Sequence, residues 1–260
     1  MKSRKVQLKA FERLLDIMDE LREKCPWDRR QTFETLRHLT IEETYELGDA
    51  ILDNDIEEIK KELGDLLLHI VFYSKIGSEK NAFDIADVAR EISEKLIHRH
   101  PHIYGEIEVV NAKEVESNWE ALKLKEGKKS VLEGVPKSLP ALVKAYRIQD
   151  KVTGVGFDWD NAAGVLDKVK EELEELQREL EANDSDKMEA ELGDVIFSIV
   201  NYARFLKINP ENALERTNKK FIKRFNNIEL KAQALGKKIN ELTLAERESF
   251  WQEAKFEENN

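Results

Sequence analysis

Residues 42–76, EETYELGDAILDNDIEEIKKELGDLLLHIVFYSKI, align without a gap on residues 171–205, EELEELQRELEANDSDKMEAELGDVIFSIVNYARF, at an offset of 129. Thirteen of the thirty-five pairs are identical, among them Glu42/Glu171, Glu43/Glu172, Glu46/Glu175, Asn54/Asn183, Asp55/Asp184, Glu62/Glu191, Gly64/Gly193 and Asp65/Asp194. A tandem repeat of this length restricts the chain to folds in which a unit of about 120 residues forms twice. The tryptophans extend the match, because Trp27/Trp159 and Trp119/Trp251 both stand 132 residues apart. Each half, 1–125 and 141–260, reads as one copy. The intervening EGKKSVLEGVPKSLP, residues 126–140, holds two of the five prolines and two of the eleven glycines and reads as a linker.

Within each copy the matched block predicts a helical hairpin. Asn54-Asp55 and Asn183-Asp184 are turn signals, with Asn suited to a left-handed backbone position and Asp to capping the next helix. Leu63, Leu66, Leu67, Ile70 and Tyr73, like Leu192, Val195, Ile196, Ile199 and Tyr202, follow the i, i+3, i+4, i+7 spacing of a buried helical face. Gly64 and Gly193 sit in mid-helix at a cost of about 1 kcal/mol relative to Ala, which predicts close approach by another helix or a ligand. Only EIEVV at 106–110 reads as a strand. Sixteen Gly and Pro in 260 residues is about half the usual share of roughly 12%, too few turn-formers for a many-stranded sandwich or barrel. The expected fold class is all-α, two tandem helical bundles joined by a linker.

Composition narrows the function. Forty-two basic and 53 acidic residues give a net charge of −11, which supplies no basic surplus for displacing phosphate counterions and argues against nucleic acid as a partner. Small polyphosphates remain compatible, provided that a cation stands between them and the protein. No run approaches 18 apolar residues, and MKSRKVQLKAFERLL lacks the clean apolar core of a signal peptide, so no membrane partner and a cytoplasmic location are expected. The single Cys25 excludes an internal disulfide and any multi-cysteine zinc site; it reads as a small packed residue.

The carboxylates point to a metal. Glu175 and Glu191 each lie eight residues from Asn183, about 12 Å along their helices, so an antiparallel hairpin brings them level. Glu172/Glu175 and Glu191/Asp194 are i, i+3 pairs, each sharing a helix face. Glu43, Glu46, Glu62 and Asp65 repeat the set around Asn54. Such a gathering of anions is unfavourable unless protons or a cation neutralise it. An all-oxygen donor set favours Mg²⁺, with Mn²⁺ as the alternative, over zinc or copper. A single glutamate pair would be an ordinary solvated face, but surface acids have no reason to keep one register in two diverged copies. His98, His100 and His102 form HRHPH in the first copy alone and read as solvated or structural. The second copy's lack of histidine also tells against a Glu-x-x-His di-iron bundle, and neither Gly127-Lys128 nor Gly236-Lys237 has the upstream glycine of a P-loop.

Three blocks carry a family resemblance: CPWDRRQTFETLRHLTIEETYEL (25–47), ELGDLLLHIVFYSKI (62–76) and SVLEGVPKSLPALVKAYRIQDKVTGVGFDWD (130–160). Together they resemble the bacterial MazG family of nucleoside triphosphate pyrophosphohydrolases, whose signature of EExxE followed by ExxD stands here as Glu42-Glu43-x-x-Glu46 with Glu62-x-x-Asp65 and as Glu171-Glu172-x-x-Glu175 with Glu191-x-x-Asp194. The resemblance implies an all-α homodimer that cleaves NTPs and dNTPs between the α and β phosphates in a Mg²⁺-dependent reaction. Glu172, Glu175, Glu191 and Asp194 are then the metal ligands. Glu171, outside that set, either orients the water, acts as base or binds a second metal. Lys187, Lys220 and Arg224 match basic positions of the family and are expected on the phosphates, with Asn218 adding a polar contact. Trp251 either stacks on a base or packs in a core or dimer interface.

The copies differ where phosphate would bind. At a 125-residue offset Lys95 and Arg99 match Lys220 and Arg224, but Ser93 replaces Asn218, and at the 129-residue offset Glu58 replaces Lys187. The second copy is therefore expected to hold the principal active site, and the first to bind metal and act weakly or scaffold a dimer. Two other readings stand beside this one: a narrower all-α pyrophosphohydrolase acting on dCTP, dUTP or phosphoribosyl-ATP, and a non-catalytic helical protein whose acidic hairpins dock a partner. No base-edge reader is legible in the sequence.

Overall fold

The computed structural model describes residues 3–105, 111, 114–115 and 130–257, and the chain divides into two compact units, Met1–Trp119 and Glu120–Asn260. The first contains α1 (Arg4–Lys24), α2 (Phe33–Asp53), α3 (Ile56–Glu79), α4 (Ile85–Arg99) and the short α5 (Pro101–Tyr104). The second contains α6 (Ala141–Thr153), α7 (Ala162–Ala182), α8 (Ser185–Phe205), α9 (Pro210–Ala234) and α10 (Leu244–Glu257). The fold is all-α, as expected. The EIEVV segment, Trp119, and the 125/126 boundary lie outside the described residues. The expected linker is described from Ser130 on, and there its backbone is tied to the second unit: the buried Lys151 donates to the Val131 carbonyl at 2.8 Å and Lys144 to that of Lys137 at 2.7 Å.

Both hairpins form as the turn chemistry dictates. Asn54 and Asn183 end α2 and α7 in the left-handed region, φ 55° and 56°. Asp55 then accepts from the Glu57 and Glu58 amides to start α3, and Asp184 from the Lys187 amide to start α8. A Thr32/Thr35 capping box starts α2, and Asn161 caps α7 through the Gly164 amide. The first unit closes over Met18, Leu36, Val71, Phe72 and Ile76. Thr40 ties its two hairpin helices together, with the Tyr73 hydroxyl at 2.6 Å and the buried His69 Nδ1 at 2.8 Å. In the second unit Ile228, Ala232 and Leu242 pack with Trp251 where α10 folds back on α9.

One expectation is corrected. The apolar face of each second hairpin helix splits: Val195 is buried and Leu66, Tyr73 and Tyr202 are partly so, but Leu63, Leu67, Ile70, Leu192, Ile196 and Ile199 stand between 37 and 52% exposed. Helical periodicity counts apolar residues without telling which of two sides the same chain covers. A Cβ built on Gly64 or Gly193 meets nothing within 4 Å, so no described neighbour accounts for either glycine.

Candidate active site

In the second unit α7 supplies Glu172 and Glu175 and α8 supplies Glu191, with one carboxylate oxygen of each within 4.8 Å of the others. Glu43 and Glu46 of α2 with Glu62 of α3 form the same group in the first unit. The level pairing across each hairpin turn is what produces it. Asp65 and Asp194 lie outside the 4.8 Å groups yet close enough to raise the pKa of Glu43 and Glu191. Three of the four expected ligands thus converge in each unit, and the aspartates flank them.

The electrostatics carry the strain of that convergence. Glu191 is held above the ordinary carboxylate range, first by desolvation and then by Glu175 and Asp194. Glu43 is raised by desolvation, Asp65 and Glu46, and Glu46 by desolvation and Glu62. Glu62 is 1% exposed, and its Oε2 is buried without a partner among the described residues. A buried carboxylate oxygen left unpaired costs free energy that a cation would recover. The donor set is all oxygen and anionic, so these residues fit a hard divalent cation.

Two lysines that the sequence reading passed over partly neutralise the clusters. Lys168 Nζ lies 2.8 Å from both Glu171 Oε1 and Glu172 Oε1, and Lys61 Nζ lies 2.7 Å from Glu58 and 3.2 Å from Glu62. Each lysine is raised by its carboxylate partners. The signal for Lys168 was its i, i+3 and i, i+4 spacing to Glu171 and Glu172; because Leu39 and Ala190 occupy the matching repeat positions, the repeat itself conceals both. Arg178 engages Glu175 at 3.0 Å.

The remaining expected residues are dispersed. Lys187, in the first turn of α8, pairs with Asp184 at 3.4 Å and Glu179 at 3.7 Å, and Glu179 also bears on Glu191. Glu171 is exposed beside its cluster. Asn218, Lys220 and Arg224 are on α9, a different helix from the glutamates; Asn218 donates to Glu215 at 3.1 Å and Lys220 is exposed. The Arg224 guanidinium stands over the Trp251 ring, 5.4 Å from its centroid, and Phe221 packs on that ring at 5.3 Å, so Trp251 is placed in the α9/α10 core. In the first unit the Glu58 carboxylate that replaces Lys187 is turned to Lys61, and Ser93 donates to the Ala89 carbonyl. Among the described residues HRHPH forms no metal group with other ligand types.

An all-α hairpin that brings two glutamates of EExxE and the glutamate of ExxD together, with the aspartate on the flank, defines the class, and comparison with known proteins places the chain within it. The model of the MazG nucleotide pyrophosphohydrolase domain matches twice, at residues 31–104 and 162–228, one match on each hairpin. The chain is 41% identical over 260 residues to a nucleoside triphosphate pyrophosphohydrolase of Escherichia coli (strain K12), covering 96% of this chain and 99% of that one. It is 44% identical to the nucleoside triphosphate pyrophosphohydrolase/pyrophosphatase MazG of Thermotoga maritima, over 94% and 95% of the two chains. A crystal structure of a mazG-related protein from Thermotoga maritima aligns with 44% of this chain and 98% of that chain at 29% identity and a TM-score of 0.39. The chain belongs to the MazG nucleotide pyrophosphohydrolase family.

Proposed function

We propose that this chain hydrolyses nucleoside triphosphates, NTPs and dNTPs alike, to nucleoside monophosphate and pyrophosphate, and so clears unwanted nucleotides from the pool. The observation that carries the reading is the convergence of Glu172, Glu175 and Glu191 from two helices within 4.8 Å, twice in one chain, in a family of this chemistry. Glu172, Glu175, Glu191 and Asp194 would hold Mg²⁺ or Mn²⁺, as would Glu43, Glu46, Glu62 and Asp65 in the first unit. When bound, the ion neutralises triphosphate charge and lowers the pKa of water.

The chain's own groups do the rest. Glu171 orients or deprotonates the attacking water, and Lys168, bonded to both Glu171 and Glu172, fixes that carboxylate beside the ligand set. Lys187, Lys220 and Arg224 meet the phosphates, with Asn218 as a neutral contact; a cation aimed at the transferred group stabilises charge that grows in the transition state. The second unit is the principal site, because Glu58 brings a negative charge to the position of Lys187. The 1–125 half binds metal and either acts weakly or scaffolds the dimer. The exposed stripes Leu63/Leu67/Ile70 and Leu192/Ile196/Ile199 favour a homodimer that covers them. We place the enzyme in the cytoplasm without nucleic-acid or membrane partners; among the described residues no helix is long and apolar enough to cross a membrane. Pyrophosphate release from mixed NTPs tests the reading: it stops on chelation and returns with Mg²⁺ or Mn²⁺, whereas undiminished release in excess chelator overturns it.

A further inference from the structure

The second unit contains a cavity of about 540 Å³ between α6, the 156–160 loop and α8, lined by Gln149, Phe157, Trp159, Phe197, Asn201 and Arg204 among others. Two carboxamides there are held in fixed orientations. Gln149, 5% exposed, donates its Nε2 to the Phe197 carbonyl at 2.8 Å, which leaves Oε1 buried and without a partner among the described residues. Asn201 accepts at Oδ1 from Arg204 Nε at 3.1 Å and Nη2 at 3.0 Å, so its NH₂ is the group left over for another acceptor. Arg204 is itself clamped on both oxygens of Asp158. The cavity therefore offers an acceptor at Gln149 and a donor at Asn201 among aromatic rings, with Arg204 paired to Asp158 and a further carboxylate, Asp160, on the lining.

The repeat shows that this is a departure from the common unit. At the 129-residue offset Asn201 matches Phe72 and Phe197 matches Leu68. In the first unit Phe72 is 3% exposed within a closed core and Leu68 packs against it. The second unit has replaced a buried ring by an amide at the place where it keeps a cavity. The cavity also lies in line with the carboxylates. On α8, Phe197 and Asn201 follow Asp194 at i+3 and i+7, on the same helix face and about 4.5 and 10.5 Å further along it. That is a sugar's length from the flank of the metal ligands.

We propose that this cavity receives the base of the nucleotide, with Gln149 Oε1 and the Asn201 NH₂ reading its edge and Trp159, Phe157 and Phe197 contacting its face. A flat heterocycle with donors and acceptors on its rim matches a largely aromatic slot that offers both kinds of group, whereas an anionic ligand would meet Arg204 already paired with Asp158 and the carboxylate of Asp160 on the lining. The proposal rests on the reading of the chain as a nucleoside triphosphate pyrophosphohydrolase, and it makes Gln149 and Asn201 specificity-determining residues of the second unit alone.

The test separates the two. Nucleoside 5′-monophosphates titrated by calorimetry into the full chain in excess chelator bind without any turnover; Gln149→Met and Asn201→Phe, the latter copying the first unit, weaken that binding by about tenfold or more. In steady state with metal, the same variants raise KM for NTPs more than they lower kcat and flatten the ranking among bases, whereas hydrolysis of ribose 5-triphosphate, which lacks a base, is unaffected. Should Asn201→Phe fail to fold, as judged by circular dichroism, Trp159→Leu at the exposed rim gives the same readouts. Variants that keep wild-type monophosphate binding, KM and base ranking overturn the proposal. Loss of monophosphate binding in a protein whose wild type releases no pyrophosphate from any NTP instead overturns the reaction and leaves the cavity assigned.

Discussion

Glu62 and Glu191 occupy one repeat position and meet different surroundings. Glu62 is buried and tied through Lys61 to Glu58; Glu191 is partly exposed, with Lys187 one turn before it and Ala190 in place of a lysine. The first turn of the second hairpin helix carries Lys187 in one unit and Glu58 in the other, which is why the proposed turnover is assigned to the second. Glu191→Gln is expected to lower pyrophosphate release by about 10²-fold or more, the scale of losing one transition-state charge interaction, and Glu62→Gln to leave most of it. Equal losses would mean that both units turn over, and a larger loss from Glu62 would move the site to the first unit. The raised carboxylates add a pH dependence. Because their folded-state pKa lies above the unfolded value, their contribution to the stability of the metal-free protein is present at low pH and lost as pH rises through the folded pKa. Glu191→Gln should therefore give a metal-free Tm at neutral pH equal to or above wild type, and Mg²⁺ affinity of the wild type, measured by calorimetry, should begin to fall on acidification before the ordinary carboxylate range is reached.

At the scale of elements, the hairpins were legible because each depends on neighbours in sequence. Asn183 at φ 56° followed by a capping Asp184 is written in two adjacent residues, and the glutamates follow from equal spacing on either side. Asn183→Ala should destabilise the second unit by about 1 kcal/mol, since Ala lacks the short polar side chain that makes the left-handed conformation tolerable for Asn, while Asn183→Gly, with no Cβ to clash, should cost less; a chemical-denaturation midpoint that Ala leaves unmoved would show that the turn is not held there. The less legible parts depend on contacts between distant elements. Lys61 and Lys168 are local to their helices but stand at non-equivalent repeat positions and reach different members of the two clusters, so the repeat hides them. The carboxamides of Gln149 and Asn201 come together only because α6, which lies outside the matched block, packs on α8. Trp251 could be read either as a stacking surface or as core, and the structure places it against Phe221 and Arg224.

The whole molecule turns on what covers the outer faces of its hairpins. Leu192, Ile196 and Ile199, each nearly half exposed, fall at i, i+4 and i+7 on one side of α8, and Leu63, Leu67 and Ile70 repeat the stripe on α3. A sequence pattern records such a stripe as apolar without saying what covers it; the proposed dimer would cover it with a second copy. Paired Leu192→Glu and Ile196→Glu substitutions should shift the sedimentation coefficient from dimer to monomer with helical content unchanged; a monomeric wild type would contradict the dimer. The reaction is defined by the phosphorus that water attacks. Hydrolysis of an NTP in ¹⁸O-labelled water with Mg²⁺, read by mass spectrometry, should place the label in the nucleoside monophosphate and leave unlabelled pyrophosphate as the only other product, with most of both lost in Glu191→Gln. Nucleoside diphosphate and orthophosphate as products would contradict it.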